Sequence, residues 1–176
     1  MGHSRGGKSS VLAAARDPRF KAFLGLDPVD AKSPLGCNET TECPDASDAV
    51  GTLTIPTAFL GETMDATGGT LGQSCAPAEH NFTTFFASAT TKSLEVTIAG
   101  ANHMSFLDDP SSCGFTCSMC KTPTADHAVV QNLAYAMTVA FFERNLRGIV
   151  AEETYLTGAQ ACLLYTSPSP RDRTRS

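Results

Sequence analysis

No apolar run in the 176-residue sequence approaches the ~20 residues that a membrane-spanning helix needs, so nothing in it supports insertion across a bilayer. Basic charge is scarce too. Thirteen Lys and Arg face eighteen Asp and Glu, the net charge is −5, and the one basic cluster is in the last six residues, which speaks against a nucleic-acid groove. No charged-then-apolar leader precedes Gly2, and the true N-terminus is expected to lie upstream. Internal repeats are absent as well. What is present is 41% hydrophobic content, enough for one domain with a core and no sign of two.

Seven cysteines (37, 43, 75, 113, 117, 120 and 162) are many for a reducing cytosol. Two sequons, at Asn38 and Asn81, point the same way, since both would accept glycans in a secretory compartment. The expected route is thus an oxidising one, with the compartment itself unread. Cys37 and Cys43 could close a small loop, whereas the pairing of Cys75, Cys113, Cys117 and Cys120 is not deducible. The C-x3-C-x2-C run at 113–120 invites a zinc reading but lacks two-pair spacing and a clear fourth ligand, so disulfide or free thiol is expected and no metal.

Strands and helices alternate along the chain. KSSVLAAARD reads as a helix stopped before Pro18, and FKAFLGLD as a buried strand entering a turn. Residues 31–51 lack periodicity and are expected to be loop; TLTIPTAFLG (52–61) reads as a second buried strand and 62–74 as a long Gly/Thr loop. APAEHNFTTFFASA predicts a helix with Phe82, Phe85 and Phe86 on one face, a matter of core packing. Leu94, Val96 and Ile98 alternate in a third strand, SLEVTIAG. A long helix is expected from Thr124, as the cap, through a stripe of Val129, Val130, Leu133, Met137 and Phe141 to Gly148. Such alternation implies an α/β fold with a mostly parallel sheet and flanking helices.

The chemistry is concentrated at the first residues. GHSRGG contains G-x-S-x-G at Gly2, Ser4 and Gly6, a nucleophile-elbow signature, and a helical stretch follows as that context requires. A serine on a sharp strand-to-helix turn needs glycines two positions to either side, where side chains would collide with strand and helix. The hydroxyl needs a base, and in this fold the histidine comes last in chain order. His3 adjoins the nucleophile with its side chain expected to point away, and His80 and His127 fall in expected helices. His103 alone sits in a loop after a strand, downstream of everything, and is the candidate base. For the acid, Asp27 and Asp65 both end strands at the edge where α/β active sites lie, and either could take the imidazole N–H. Asp30 reads as a solvated turn aspartate.

Taken in order, GHSRGG, GLDPVD, CAPAEHNFTTFF and ANHMSFLDD with SMCK beyond it resemble the blocks of chlorophyllase within the α/β-hydrolase superfamily, over most of 2–148. The resemblance implies a serine carboxylic-ester hydrolase acting on a small-molecule ester, chlorophyll cleaved to chlorophyllide and phytol, with a Ser-Asp-His triad and no cofactor. It makes Ser4 the nucleophile, Asp27 the acid and His103 the base. Bacterial polyester hydrolases and related lipases place their acid after the next strand, which keeps Asp65 as the alternative in a general esterase. A non-catalytic hydrolase-like module is the third reading. One oxyanion donor is expected from the backbone N–H of Arg5, the residue after the nucleophile, and the other from a loop earlier in the fold. Residues 1–150 are therefore expected to be the C-terminal part of an α/β-hydrolase domain, cut at the elbow and inactive as a fragment. Residues 151–176 are expected to be tail, of which 162–172, CLLYTSPSPRD, matches the conceptual translation of a transposase-type sequencing adapter.

Overall fold

The structure is a computed structural model that describes residues 1–30, 44–69, 72, 74–158 and 161, with the side chains of 115 and 116 left aside. The Cys37–Cys43 loop, the Asn38 sequon, Cys162 and the adapter-like segment lie outside the described residues. Four strands, β1 (Gly2–Ser4), β2 (Phe23–Pro28), β3 (Thr57–Glu62) and β4 (Ser93–Ile98), form one parallel sheet in the order β1-β2-β3-β4. Three helices connect them in turn: α1 (Arg5–Arg16), α2 (Ala46–Gly51) and α3 (Phe82–Ser88). A monotonic strand order with right-handed crossovers puts all three connecting helices on one face. The other face is left for α4 (His127–Leu146), which follows the last strand.

Alternation along the strands builds a core on each side. Phe23 and Phe59 point toward α1–α3 and pack with Val11, Val50, Phe82 and Phe85, while Leu24, Leu60, Val96 and Ile98 pack with Val130, Leu133, Met137 and Phe141 of α4. Strands buried on both faces need apolar residues at every position, which is why β2 and β3 read as continuous hydrophobic runs. Gly61 in β3 leaves the room that the Phe82 ring fills.

Several boundaries differ from expectation. Residues 46–51 form a helix rather than loop, because Asp45 caps it by accepting from Asp48 N–H, a local signal in a segment without periodicity. The second strand starts at Thr57, after Pro56 has removed one ladder donor. The cap of α4 is Asp126, accepting from Val129 N–H at 3.1 Å, and not Thr124. Asn81 is almost wholly buried; its Oδ1 caps α3 and its Nδ2 donates to the Ala76 carbonyl, so in the folded chain it is not a glycan acceptor. Residues 151–156, read from the sequence as tail, turn back through the 3-10 turn Val150–Glu152 into α5 (Glu153–Leu156), and Leu156 joins the α4 core. Cys75 pairs with Cys120 and Cys113 with Cys117.

Candidate active site

Ser4 ends β1 and begins α1 at φ 55° and ψ −129°, a conformation that costs a non-glycine residue about 1–3 kcal/mol and persists only where the surroundings impose it. Two glycines make the turn possible. A Cβ on Gly2 would run into the Gly6 backbone, and one on Gly7 would sit 2.6 Å from the Pro28 Cβ, whereas at Gly6 a Cβ would meet nothing. The expectation that both outer motif glycines clear side chains thus holds for Gly2, with the second close approach shifted to Gly7. Beyond the turn, the Ser4 carbonyl accepts from Val29 N–H at 3.2 Å, so the elbow is tied to the loop leaving β2. Lys8, in the first turns of α1, reinforces that tie through an ion pair to Asp30 at 2.5 Å. Asp30 is 5% exposed and also accepts Ala46 N–H at 2.8 Å, so it is a buried clasp and not a solvated turn residue.

Asp27, His103 and Ser4 meet in a line. His103 lies in the 3-10 turn His103–Phe106 after β4 and is 3% exposed. Its Nδ1 is 2.5 Å from Asp27 Oδ2 and its Nε2 is 2.9 Å from Ser4 Oγ. A carboxylate can only accept, so Nδ1 carries the proton and Nε2 is left to accept from the hydroxyl. Asp27 is fully buried and itself at φ 40°, a turn of the backbone that breaks the strand's alternation. Burial pushes its carboxyl above the ordinary range and the bond to the imidazole pulls it back, with the nearby Asp65 adding to the rise.

Asp65 takes a different position. It is fully buried, yet Oδ2 accepts the backbone N–H of His103 at 2.9 Å and Oδ1 that of Lys121 at 2.8 Å. Its carboxylate therefore holds the peptide of His103, while Asp27 holds the ring. The turn is secured further by the reciprocal pair Asn102 and Ser105 and by Gln131 of α4, whose Nε2 donates to the carbonyls of Ser105 and Leu107. Arg5 opens α1 directly after Ser4, where first-turn N–H groups have no intrahelical acceptor and the helix dipole favours negative charge.

Two further side chains belong here, His3, which the sequence reading set aside, and Glu62, which it did not single out. His3 does not point away: its Nε2–H donates to the His103 carbonyl at 2.8 Å, and the two rings lie 4.6 Å apart. Burial, with the neighbouring His103 charge, lowers its pKa to about 4. Glu62, ending β3 and 3% exposed, accepts from the N–H groups of Met64 and Asp65, and burial followed by the charge of Asp27 raises it to about 7. An acidic residue closing an apolar strand was the available signal, the same one that singled out Asp27. His80 and His127 stand elsewhere. His80 lies in the turn before α3 rather than in a helix, and His127 opens α4, its Nε2–H directed at the Asp108 carbonyl at 3.3 Å.

Among the described residues, the one group of potential metal ligands is Asp65, Cys75 and Cys120. Its sulfurs are bonded to each other, which leaves no thiolate to ligate a cation, and each carboxylate oxygen already accepts a backbone N–H. None of the described helices is long and apolar enough to cross a membrane.

A parallel sheet with helices on both faces, carrying a serine on a strand-to-helix elbow beside a histidine after the last strand, is an α/β-hydrolase arrangement. A family model described as Chlorophyllase matches residues 1–162, and the chain belongs to that family, one of esterase-type hydrolases. Among curated proteins no match is found.

Proposed function

We propose that the chain is a serine carboxylic-ester hydrolase that cleaves the phytyl ester of chlorophyll, with Ser4 as nucleophile, His103 as base and Asp27 as the acid that orients it. The observation that carries the reading is the unbroken hydrogen-bonded line from Ser4 Oγ through the His103 ring to Asp27 Oδ2. In the first half-reaction His103 Nε2 takes the hydroxyl proton as Ser4 Oγ bonds to the ester carbonyl carbon. Collapse of the tetrahedral adduct breaks the C–O bond to the alcohol, which leaves with that proton, and an acyl-serine remains. Water, losing its proton to the same Nε2, attacks the acyl carbon; the C–O bond to Ser4 breaks and the serine is reprotonated as the acid departs. Asp27 stays ionised throughout and stabilises the imidazolium. The Arg5 N–H would meet the oxyanion.

The fully engaged carboxylate of Asp65 supports Asp27 over Asp65 as the acid. In the full-length protein, a fluorophosphonate that labels Ser4, together with hydrolysis of both chlorophyll and short acyl esters, is the expected outcome. Turnover of short esters with none of chlorophyll would reduce the reading to a general esterase, and an unlabelled Ser4 would make the chain a non-catalytic member.

A further inference from the structure

His103 is the only residue of the site that must hold two partners at once while its charge changes, so its placement has to be imposed from outside the ring. Three groups grip it. Asp27 takes Nδ1–H at 2.5 Å, Asp65 takes the backbone N–H at 2.9 Å, and His3 supplies the third hold, its Nε2–H on the carbonyl at 2.8 Å. Asp27 and Asp65 belong to the β2 and β3 ends, whereas His3 is in β1, one residue before the nucleophile. Among the hydrogen bonds of the described residues, the His3 bond is the one that connects the base's main chain to the strand that carries the hydroxyl.

Resting on the esterase reading above, we infer that His3 is a positioning residue: its Nε2–H bond to the His103 carbonyl sets the separation between Ser4 Oγ and His103 Nε2. A carbonyl oxygen only accepts, so the bond requires a proton on Nε2, which the neutral Nε2–H tautomer and the imidazolium both carry. Burial against the Phe106 ring, 6.1 Å away, and against the His103 ring favours that neutral form. Neutrality has a second consequence. When His103 becomes an imidazolium during proton transfer, the ring stacked on it carries no like charge to oppose it. His3 touches neither the ester nor the transferred proton and acts through His103 alone.

The test separates the hydrogen bond from the stack. His3→Phe keeps an aromatic ring beside His103 and removes the donor; His3→Gln restores an N–H at similar reach. The rate of fluorophosphonate labelling at Ser4 and the kcat and KM for p-nitrophenyl acetate are measured for both and for the unsubstituted chain. His3→Phe is expected to slow labelling and kcat roughly tenfold or more with KM little changed, since small misplacements of a reacting pair cost up to about a hundredfold. His3→Gln is expected to recover most of the loss, which general destabilisation would not predict. A His3→Phe chain that labels at the unsubstituted rate overturns the inference and leaves the esterase reading standing; a Ser4 that never labels overturns both. Should His3→Phe fail to fold, imidazole 15N NMR of the unsubstituted chain decides. His3 is expected as the Nε2–H tautomer with no titration until about pH 4, and an Nδ1–H tautomer or a midpoint near 6.5 sinks the idea.

Discussion

A serine hydroxyl is a poor nucleophile at neutral pH, and what changes at Ser4 is the imidazole 2.9 Å from its oxygen. Ser4→Ala is expected to abolish labelling and to lower kcat by at least about 10⁴-fold without unfolding the chain. The two aspartates differ in how they fail. Asp27→Asn replaces a carboxylate that can only accept with an uncharged amide whose NH2 can face Nδ1 and favour the wrong ring tautomer, and is expected to cost about 10⁴ in kcat, with a melting midpoint no lower than the unsubstituted chain's at neutral pH, because a buried carboxylate held above its ordinary pKa is a burden when ionised. Asp65→Asn leaves one oxygen for two N–H donors and is expected to lower both stability and kcat, the latter by a smaller factor. If Asp65→Asn were the dead enzyme and Asp27→Asn the active one, the acid would be Asp65 after all.

Elements meet at the site through close approaches that tolerate little added volume. Gly7 in α1 lies against Pro28 at the end of β2, so Gly7→Ala must move the helix off the strand that carries Asp27. A loss of about 1–3 kcal/mol is expected from urea unfolding, with kcat falling too, as the proline ring it would strike is tied to the backbone and cannot rotate away. The Cys75–Cys120 bridge does related work on the opposite side. It closes 45 residues, and its cysteines neighbour Ala76, whose N–H donates to the Asp65 carbonyl, and Lys121, whose N–H donates to the Asp65 carboxylate. Cys75→Ser with Cys120→Ser is expected to cost roughly 3–4 kcal/mol of unfolding free energy, the loop-closure value for that span. A double variant as stable as the bridged chain would show the two loops to be held by the Asp65 bonds alone.

Among the described residues, buried Glu62 and half-buried His3 have titrations that oppose each other. Glu62 is raised from 4.5 to about 7, so between those values the folded chain holds a proton the unfolded chain has released, and stability falls as pH rises through that window. His3 is lowered from 6.5 to about 4, so the unfolded chain binds the extra proton and stability falls as pH drops through that range. Glu62→Gln removes the first slope only. Urea midpoints from pH 4.5 to 8 are expected to show the variant gaining up to about 3 kcal/mol at pH 8, and losing stability more steeply than the unsubstituted chain on acidification below 6.5. A variant parallel to the unsubstituted chain across that range would place the proton of Glu62 elsewhere.

The strands, the parallel class, the elbow serine and the candidate base were legible in the residues themselves, because periodicity, glycine placement and position after a strand are local properties. Leu94, Val96 and Ile98 alternate regardless of what covers them, whereas the caps at Asp45 and Asn81, local as they are, sit beside no periodic stripe long enough to point to them. Which carboxylate meets the imidazole was not local. Asp27 and Asp65 both follow buried strands, and the choice depends on the register shift between β1 and β2 after His3, on the positive φ at Asp27, and on the Asp65 side chain being taken up by two peptide N–H groups. The same holds for His3 and Glu62, which acquire their roles from partners that neighbouring strand ends bring to them. One-dimensional pattern therefore determined the strands, the elbow and the family of reactions. Packing of four strand ends into one buried cluster decided the partners, since hydrogen bonds between residues 38 to 100 positions apart exist only once sheet register has closed those distances.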